Sequence, residues 1–168
     1  KKLNMKEETA LFEKEFYEIT NILKKLLETS NSKTVLLIDK AGQLICSTGD
    51  TRDLDLLSFS TLSAADFAAT AQLAELIGEK EFSSLFHQGE KESLYISMVA
   101  NRVILAVLFD QRTTLGLVRV RVKHATNELE GVFRRIFEKI EKPVKEEAKI
   151  FDEDFTKEAE EEIDKLFG

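Results

Sequence analysis

Residues 60–78 read STLSAADFAATAQLAELIG, and the rest of the sequence is organised around this stretch. Alanine has the highest helix propensity, and six alanines fall between positions 64 and 74, so the stretch predicts a helix. Hydroxyl residues at its start suit a helix cap, and Gly78 suits a left-handed stop. Two strips of apolar and small side chains run along the helix. The first contains Leu62, Ala65, Ala69, Leu73 and Leu76, and the second contains Ala64, Ala68 and Ala71.

This abundance of alanine exceeds what helix formation alone requires. A surface of methyl groups lets another backbone approach closely, which favours a face that contacts a partner. The alternative is a core helix that needs thin side chains in order to lie flat on a sheet. The sequence leaves both interpretations open, and we favour the partner face.

Composition indicates one soluble globular domain and argues against nucleic acid as a partner. The chain has 168 residues and a net charge of −7, whereas nucleic-acid binding needs a basic stripe. Its one cysteine, Cys46, rules out an internal disulfide and fits a reducing cytoplasm. No apolar run is long enough to cross a membrane, so we expect no membrane insertion.

The hydrophobic pattern predicts eight elements, the last of which is a long helix. Residues 102–109 are almost wholly apolar and predict a central strand, whereas the short and more polar residues 82–88 predict an edge strand. Residues 117–122 also alternate like a strand, but the longer three-and-four rhythm favours a helix. In chain order we predict helix 6–29, strand 33–39, strand 43–48, helix 60–78, strand 82–88, strand 93–99, strand 102–109 and helix 113–139. The first helix carries a predicted apolar seam of Phe12, Phe16, Ile19, Leu23 and Leu26.

Pro143 cannot continue a helix without strain, so we expect a domain over residues 5–140 and an acidic tail over residues 141–168. Residues 141–155 are interpreted as a linker, and residues 156–167 as a short amphipathic helix. So short a helix is marginal alone and would order by docking, either on the basic helix 113–139 or on a partner. The apolar strip predicted to dock contains Phe155, Ala159, Ile163, Leu166 and Phe167.

The residues that could carry chemistry are sparse. His87 and His124 have no ligand partners at metal-binding spacing, and Cys46 has no histidine near it in sequence. No phosphate-binding or nucleophile motif occurs, so we predict no catalytic site, no metal and no cofactor. Arg52 and Arg102 are the arginines in predicted loops that could reach into a partner's site as an arginine finger, and we do not favour that role.

Several segments carry a resemblance to a known family. The predicted element order resembles the roadblock family, which is named for a dynein light chain. The segment 36–42 is common to that family at large. Segments 64–70 and 87–90, together with 94–96, 108–110 and 115–116, are similar to the bacterial MglB-like members.

The resemblance implies an α/β (α+β) fold, with a five-stranded antiparallel sheet between helices. It also implies a homodimer in which edge strands join into one sheet and the second helices pair. Such a dimer binds a Ras-like small GTPase of MglA type and speeds its GTP hydrolysis without an arginine finger, in the control of polarity and gliding motility, at a cell pole. The implied GTPase platform is Thr61, Ala64, Ala65, Ala68, Ala71 and Gln72, and the implied dimer edge is Phe82, Leu85, Phe86 and His87.

Two other functions are open at this stage. A passive roadblock scaffold would hold a GTPase or a motor through the same surfaces without changing its turnover. A small-molecule sensor would need a polar-lined cavity, which the apolar segment 102–109 does not favour.

Overall fold

The computed structural model describes the backbone of residues 5–167 and the side chains of residues 12–142 and 155–166. Over this range the chain forms three helices and five strands. Their bounds are α1 Met5–Ser30, β1 Thr34–Asp39, β2 Leu44–Gly49, α2 Leu56–Leu76, β3 Ser84–Gln88, β4 Glu92–Val99, β5 Val103–Asp110 and α3 Leu115–Phe167.

The five strands form one antiparallel sheet in the order β2-β1-β5-β4-β3. The most apolar strands, β1 and β5, lie inside the sheet and are buried along nearly their whole length. The prediction that residues 102–109 form a central strand is confirmed, and so is the prediction of an edge strand near residues 82–88. Ala100 and Asn101 both have positive φ, the conformation of a tight two-residue turn, and they connect β4 to β5.

Helix α2 covers one face of the sheet. Ala64 and Phe67 on α2 pack against alternate residues of β1, β4 and β5, namely Leu36, Ile38, Ile96, Ile104 and Ala106. The β1–β2 turn approaches the helix so closely that a Cβ atom on Gly42 would lie 2.9 Å from Cα of Thr61. Hairpin and helix are therefore in direct backbone contact at this point.

The N-terminal boundary of α2 differs from the prediction. The helix starts at Leu56, and Asp55 caps it by accepting a hydrogen bond from the backbone N–H of Ser58 at 3.1 Å. The hydroxyl residues at positions 60 and 61 therefore lie inside the first turns, because Leu56 and Phe59 pack against the core under α2 and draw the chain into the helix earlier. The predicted stop is confirmed, since Gly78 has a φ of +81°.

Helix α1 and the first part of α3, residues 115–132, lie on the opposite face. Ile19, Leu23 and Leu26 of α1 are buried, and Lys25 Nζ lies 3.1 Å from Glu128 Oε1 on α3. The predicted seam of α1 is wrong at Phe16, which is 52 % exposed, while its neighbour Glu15 is buried. The apolar spacing predicts the helix correctly. Packing against the sheet turns the helix about its axis by about one residue, so that Glu15 faces inward in place of Phe16.

The C-terminal region also differs from the prediction. Helix α3 continues without interruption to Phe167, so residues 141–155 are helical and do not form a linker. Proline costs about 3 kcal/mol in a helix interior, but the residues around Pro143 are mostly Glu, Lys and Ala, which favour the helix on both sides. Residues Lys1–Val132 form one compact unit and residues Phe133–Gly168 a second.

Candidate docking surface on α2 and β3

Helix α2 turns one side to the sheet and leaves an apolar side exposed. Phe67, Thr70 and Ala74 are among the buried residues on the sheet side. Leu62 is 67 % exposed and Leu76 is 82 % exposed on the opposite side. Exposed apolar area of this kind marks an interaction surface. We call the exposed side the α2 outer face, and its apolar and small members are Leu62, Ala65, Ala69, Leu73 and Leu76.

The residues predicted as a partner platform divide between the two sides of α2. Ala64 is only 6 % exposed and packs in the core, so its expected place on a free face is wrong. The two predicted strips were both apolar, and spacing alone could not show which one faced the sheet. The predicted residues that are exposed are Thr61, Ala65, Ala68, Ala71 and Gln72.

The outer face adjoins the free edge of the sheet through one polar contact. Nε2 of His87 on β3 lies 2.6 Å from Oδ2 of Asp66 on α2. Because a carboxylate can only accept, the proton of this hydrogen bond lies on Nε2. Leu62 and Leu73 occupy the same side of α2 as Asp66, since they lie four residues before it and seven after it. The apolar residues of the outer face and the β3 edge thus form one continuous surface.

The edge strand β3 pairs with β4 on one side only. Leu85 packs into the core under α2, and Phe86 stacks on Phe109 on the opposite face of the sheet at a centroid distance of 6.1 Å. Phe82 lies before the strand and is half-buried. These anchors hold the strand in place, so its outer N–H and C=O groups are presented in a fixed register.

Arg52, one of the two loop arginines considered for a finger role, is bound within its own loop. The guanidinium of Arg52 binds Asp50 through Nε at 3.0 Å and Nη2 at 2.9 Å, and hydrogen bonding from Arg52 lowers the pKa of Asp50 well below its usual range. Arg112, which was not predicted as a finger, donates through Nε to both carboxylate oxygens of Asp110 at 2.9 and 3.1 Å and lowers the pKa of that carboxyl. Arg52 and Arg112 both follow a strand end by a few residues and are engaged with their own loop, whereas Arg102 lies immediately before β5.

Two further features bear on chemistry within the side chains that the structure describes, namely the lone thiol and the groups that could bind a metal ion. Burial raises the pKa of the Cys46 thiol to about 11, so it is protonated at neutral pH and unreactive. Among these residues there is also no cluster of three His, Cys, Asp or Glu side chains that could hold a metal ion. None of the described helices is both long and apolar enough to cross a membrane.

A half-open groove of about 430 Å³ lies between α3 and the strands β3 and β4. Arg119 and Lys123 line it together with Glu81 and Glu130, so its charges are mixed. The groove lies on the sheet face opposite α2, and it is separate from the surface of α2 and β3.

This fold, with an exposed apolar helix beside a free sheet edge, defines a roadblock-type domain. Residues 18–109 match the Roadblock/LC7 domain, which is more than half of the chain. The chain belongs to the Roadblock/LC7 family, and the resemblance seen in the sequence is confirmed.

Solved structures place the chain near one branch of that family. Myxococcus xanthus MglB is 48 % identical, with 71 % of this chain and 90 % of that chain covered and a TM-score of 0.70. The gliding protein MglB of Thermus thermophilus is 29 % identical, with 70 % of this chain and 90 % of that chain covered and a TM-score of 0.67. A relative from Aquifex aeolicus is 23 % identical over 129 residues, which is 76 % of this chain and 80 % of the relative.

Proposed function

We propose that the protein is a homodimeric regulator that binds a Ras-like GTPase of MglA type and accelerates its GTP hydrolysis by ordering the switch regions. The observation that carries the proposal is the α2 outer face, which exposes leucines and small residues beside a free sheet edge. The similarity to MglB supports the class of partner. The cellular role would be the control of polarity and gliding motility, in the cytoplasm and at a cell pole.

The dimer uses the β3 edge and the adjacent α2 residues. An unpaired edge strand offers a ladder of backbone donors and acceptors, and a second copy of β3 can satisfy it in an antiparallel pair. This pairing would bring two α2 helices together and remove Leu62 and Leu73 from water. Burying an exposed leucine stabilises by about 1.5–3 kcal/mol, so four leucines across the symmetric contact supply a substantial driving force.

The GTPase platform is formed by the exposed small residues of the two α2 helices, with Thr61, Ala68 and Gln72 nearest the side away from β3. Small side chains allow a switch segment to lie close to the helix. Residues 53–101, which include α2 and β3, contain no arginine, so this surface has none to offer as a finger. Acceleration would therefore come from positioning groups that the GTPase already holds.

The test is single-turnover GTP hydrolysis by the cognate GTPase, with and without this protein. The wild type should accelerate hydrolysis, and Ala68→Arg should reduce the acceleration at least about tenfold because a long cation keeps the partner away from the helix. The matched control is Asn21→Arg, an exposed position on α1 that lies on the opposite face of the sheet. Equal acceleration by both variants would remove the platform from α2.

A passive scaffold remains the alternative function, because it uses the same surfaces. It predicts that the GTPase copurifies with the chain and that Ala68→Arg breaks the complex, while the rate of hydrolysis does not change on binding. The hydrolysis rate of the saturated complex therefore separates the two functions.

A further inference from the structure

The first turns of α3 carry an exposed basic and apolar strip on the face of the sheet away from α2. We call it the α3 ridge, and its members are Leu117, Arg119, Val120, Arg121 and Lys123. Val120 is 54 % exposed, and Leu117 is also exposed. Residues 111–127 contain no acidic residue.

The cations of this ridge are available to an external partner. Among the ion pairs of the described side chains, none involves Arg119, Arg121 or Lys123. Each of these three side chains is exposed. Glu81 and Glu130 line the groove beside Arg119 and Lys123 without forming an ion pair with either cation. The ridge therefore combines cations that make no ion pair with an apolar centre, a combination that fits an acidic amphipathic helix.

The last part of α3 has the complementary character. Phe155 and Leu166 are exposed, and Ile163 is 55 % exposed. They lie on one side of the helix because they are spaced by eight and three residues. Five acidic residues surround this strip, namely Glu158, Glu160, Glu161, Glu162 and Asp164.

We propose that the C-terminal segment of one copy, residues 155–166, docks on the α3 ridge of a second copy. Phe155, Ile163 and Leu166 would cover Leu117 and Val120, and the acidic flanks would meet the ridge cations. Two tails cannot pair as favourably with each other, because their like charges repel. Both segments belong to one helix, α3, and a second copy can supply the tail without any change in that helix.

Reciprocal docking, in which each tail occupies the other chain's ridge, is a contact with two-fold symmetry. The ridge lies on the face of the sheet opposite α2. The contact is therefore separate from the surface assigned to the GTPase and to the β3-mediated dimer, and it can hold or fail independently of the proposed function.

Cysteine cross-linking of mixed full-length chains tests the proposal directly. One chain carries Val120→Cys, the other carries Ile163→Cys and a mass tag, and both carry Cys46→Ser. Oxidation should give the mixed disulfide dimer as the main product. The matched control replaces Val120→Cys by Leu57→Cys, an apolar position on α2 that is more exposed than Val120, and it should give little mixed product.

Other products would overturn the proposal. Dominant Ile163→Cys homodimers would show that tails pair with tails, and an internal disulfide in the Val120→Cys/Ile163→Cys double variant would show docking within one chain. Absence of any enriched product would also count against it. Binding of the chain to anionic vesicles that is lost in Arg121→Glu but kept without residues 155–168 would assign the ridge to a membrane instead.

Charge exchange provides a second, independent readout. Sedimentation of the full chain should show at least about tenfold weaker association beyond the β3-mediated dimer for Arg119→Glu/Arg121→Glu, because like charges then face each other across the contact. Adding Glu158→Lys/Glu162→Lys should restore association, since the pairs are re-formed with exchanged signs. Lys80→Glu/Lys91→Glu, a matched reversal away from the ridge, should leave association unchanged. Association that is lost in Arg119→Glu/Arg121→Glu and is not restored by Glu158→Lys/Glu162→Lys would contradict the proposal.

Discussion

His87 on β3 and Asp66 on α2 are joined by a hydrogen bond of 2.6 Å between Nε2 and Oδ2. The two residues are 21 positions apart in the chain, and both side chains are partly exposed. The bond ties the edge strand of the sheet to the helix that covers it. It therefore fixes the relative position of the two elements that form the proposed docking surface.

We expect Asp66→Ala to loosen the β3 edge while leaving the fold intact. The free energy of unfolding should fall by only about 0.5 kcal/mol, because the pair is partly solvated. Amide hydrogen exchange should rise across Ser84–Gln88 and stay unchanged in β1, because local opening no longer breaks the bond to α2. Glu75→Ala, an exposed acidic position on the same helix, is the control. Equal exchange of β3 in both variants would show that the bond does not hold the edge.

We expect Gly42→Ala to destabilise the protein through the contact between the β1–β2 turn and α2. Gly42 has a φ of +91°, and an added Cβ would lie 2.9 Å from Cα of Thr61. Left-handed strain costs about 1–2 kcal/mol for alanine, and overpacking against backbone adds about 1–3 kcal/mol.

Gly78→Ala is the matched control for that substitution. Gly78 also has a positive φ, but a Cβ there would meet nothing within 4 Å. The free energy of unfolding of Gly78→Ala should therefore fall only by the cost of left-handed strain, about 1–2 kcal/mol. Urea denaturation of both variants measures the difference. If both variants lose the same free energy of unfolding, the β1–β2 turn can move away from α2 without an energetic cost and does not position that helix.

The fold was predictable because its signals are local. The apolar run at residues 35–38 and the alternation in residues 93–99 define strands without reference to anything distant, and the turn glycines mark their ends. The central position of β5 followed from its continuous apolar character, which only a strand covered on both faces shows.

The candidate site was harder to predict, because it depends on which side of a helix faces the sheet. Helix α2 is apolar or small on nearly every side, so periodicity could not separate Ala64, which is buried, from Ala65, which is exposed. Packing of the one large residue, Phe67, against the sheet decides the orientation. The bond between Asp66 and His87 was missed because only the folded chain brings those positions together.

Ala64 and Ala68 should respond in opposite ways to the same substitution. Ala64→Arg places a cation among Leu36, Ile38 and Phe67, so we expect a loss of about 3 kcal/mol or more, or failure to fold. Ala68→Arg lies on the exposed side and should change the free energy of unfolding by less than about 0.5 kcal/mol. Urea denaturation followed by circular dichroism measures both. Similar stabilities would contradict the orientation of α2 described here.

Acid should destabilise the protein through the two aspartates that follow strands β2 and β5. The hydrogen bonds from Arg52 and Arg112 lower the pKa of Asp50 and Asp110 in the folded chain. Below about pH 4 the unfolded chain takes up protons at these positions while the folded chain does not. The free energy of unfolding therefore falls as the pH drops below about 4, and the contribution of each pair is complete above that pH.

Replacing either carboxylate removes its share of this pH dependence. In Asp50→Asn the urea midpoint should be lower than in the wild type at pH 6, and it should fall less steeply between about pH 4 and pH 2, because the proton uptake that drove the change is gone. Asp53→Asn is the control, since the side chain of Asp53 makes no hydrogen bond in the part of the chain that the structure describes. If the urea midpoint of Asp50→Asn falls with pH as steeply as that of the wild type, the ion pair between Asp50 and Arg52 does not govern stability in acid.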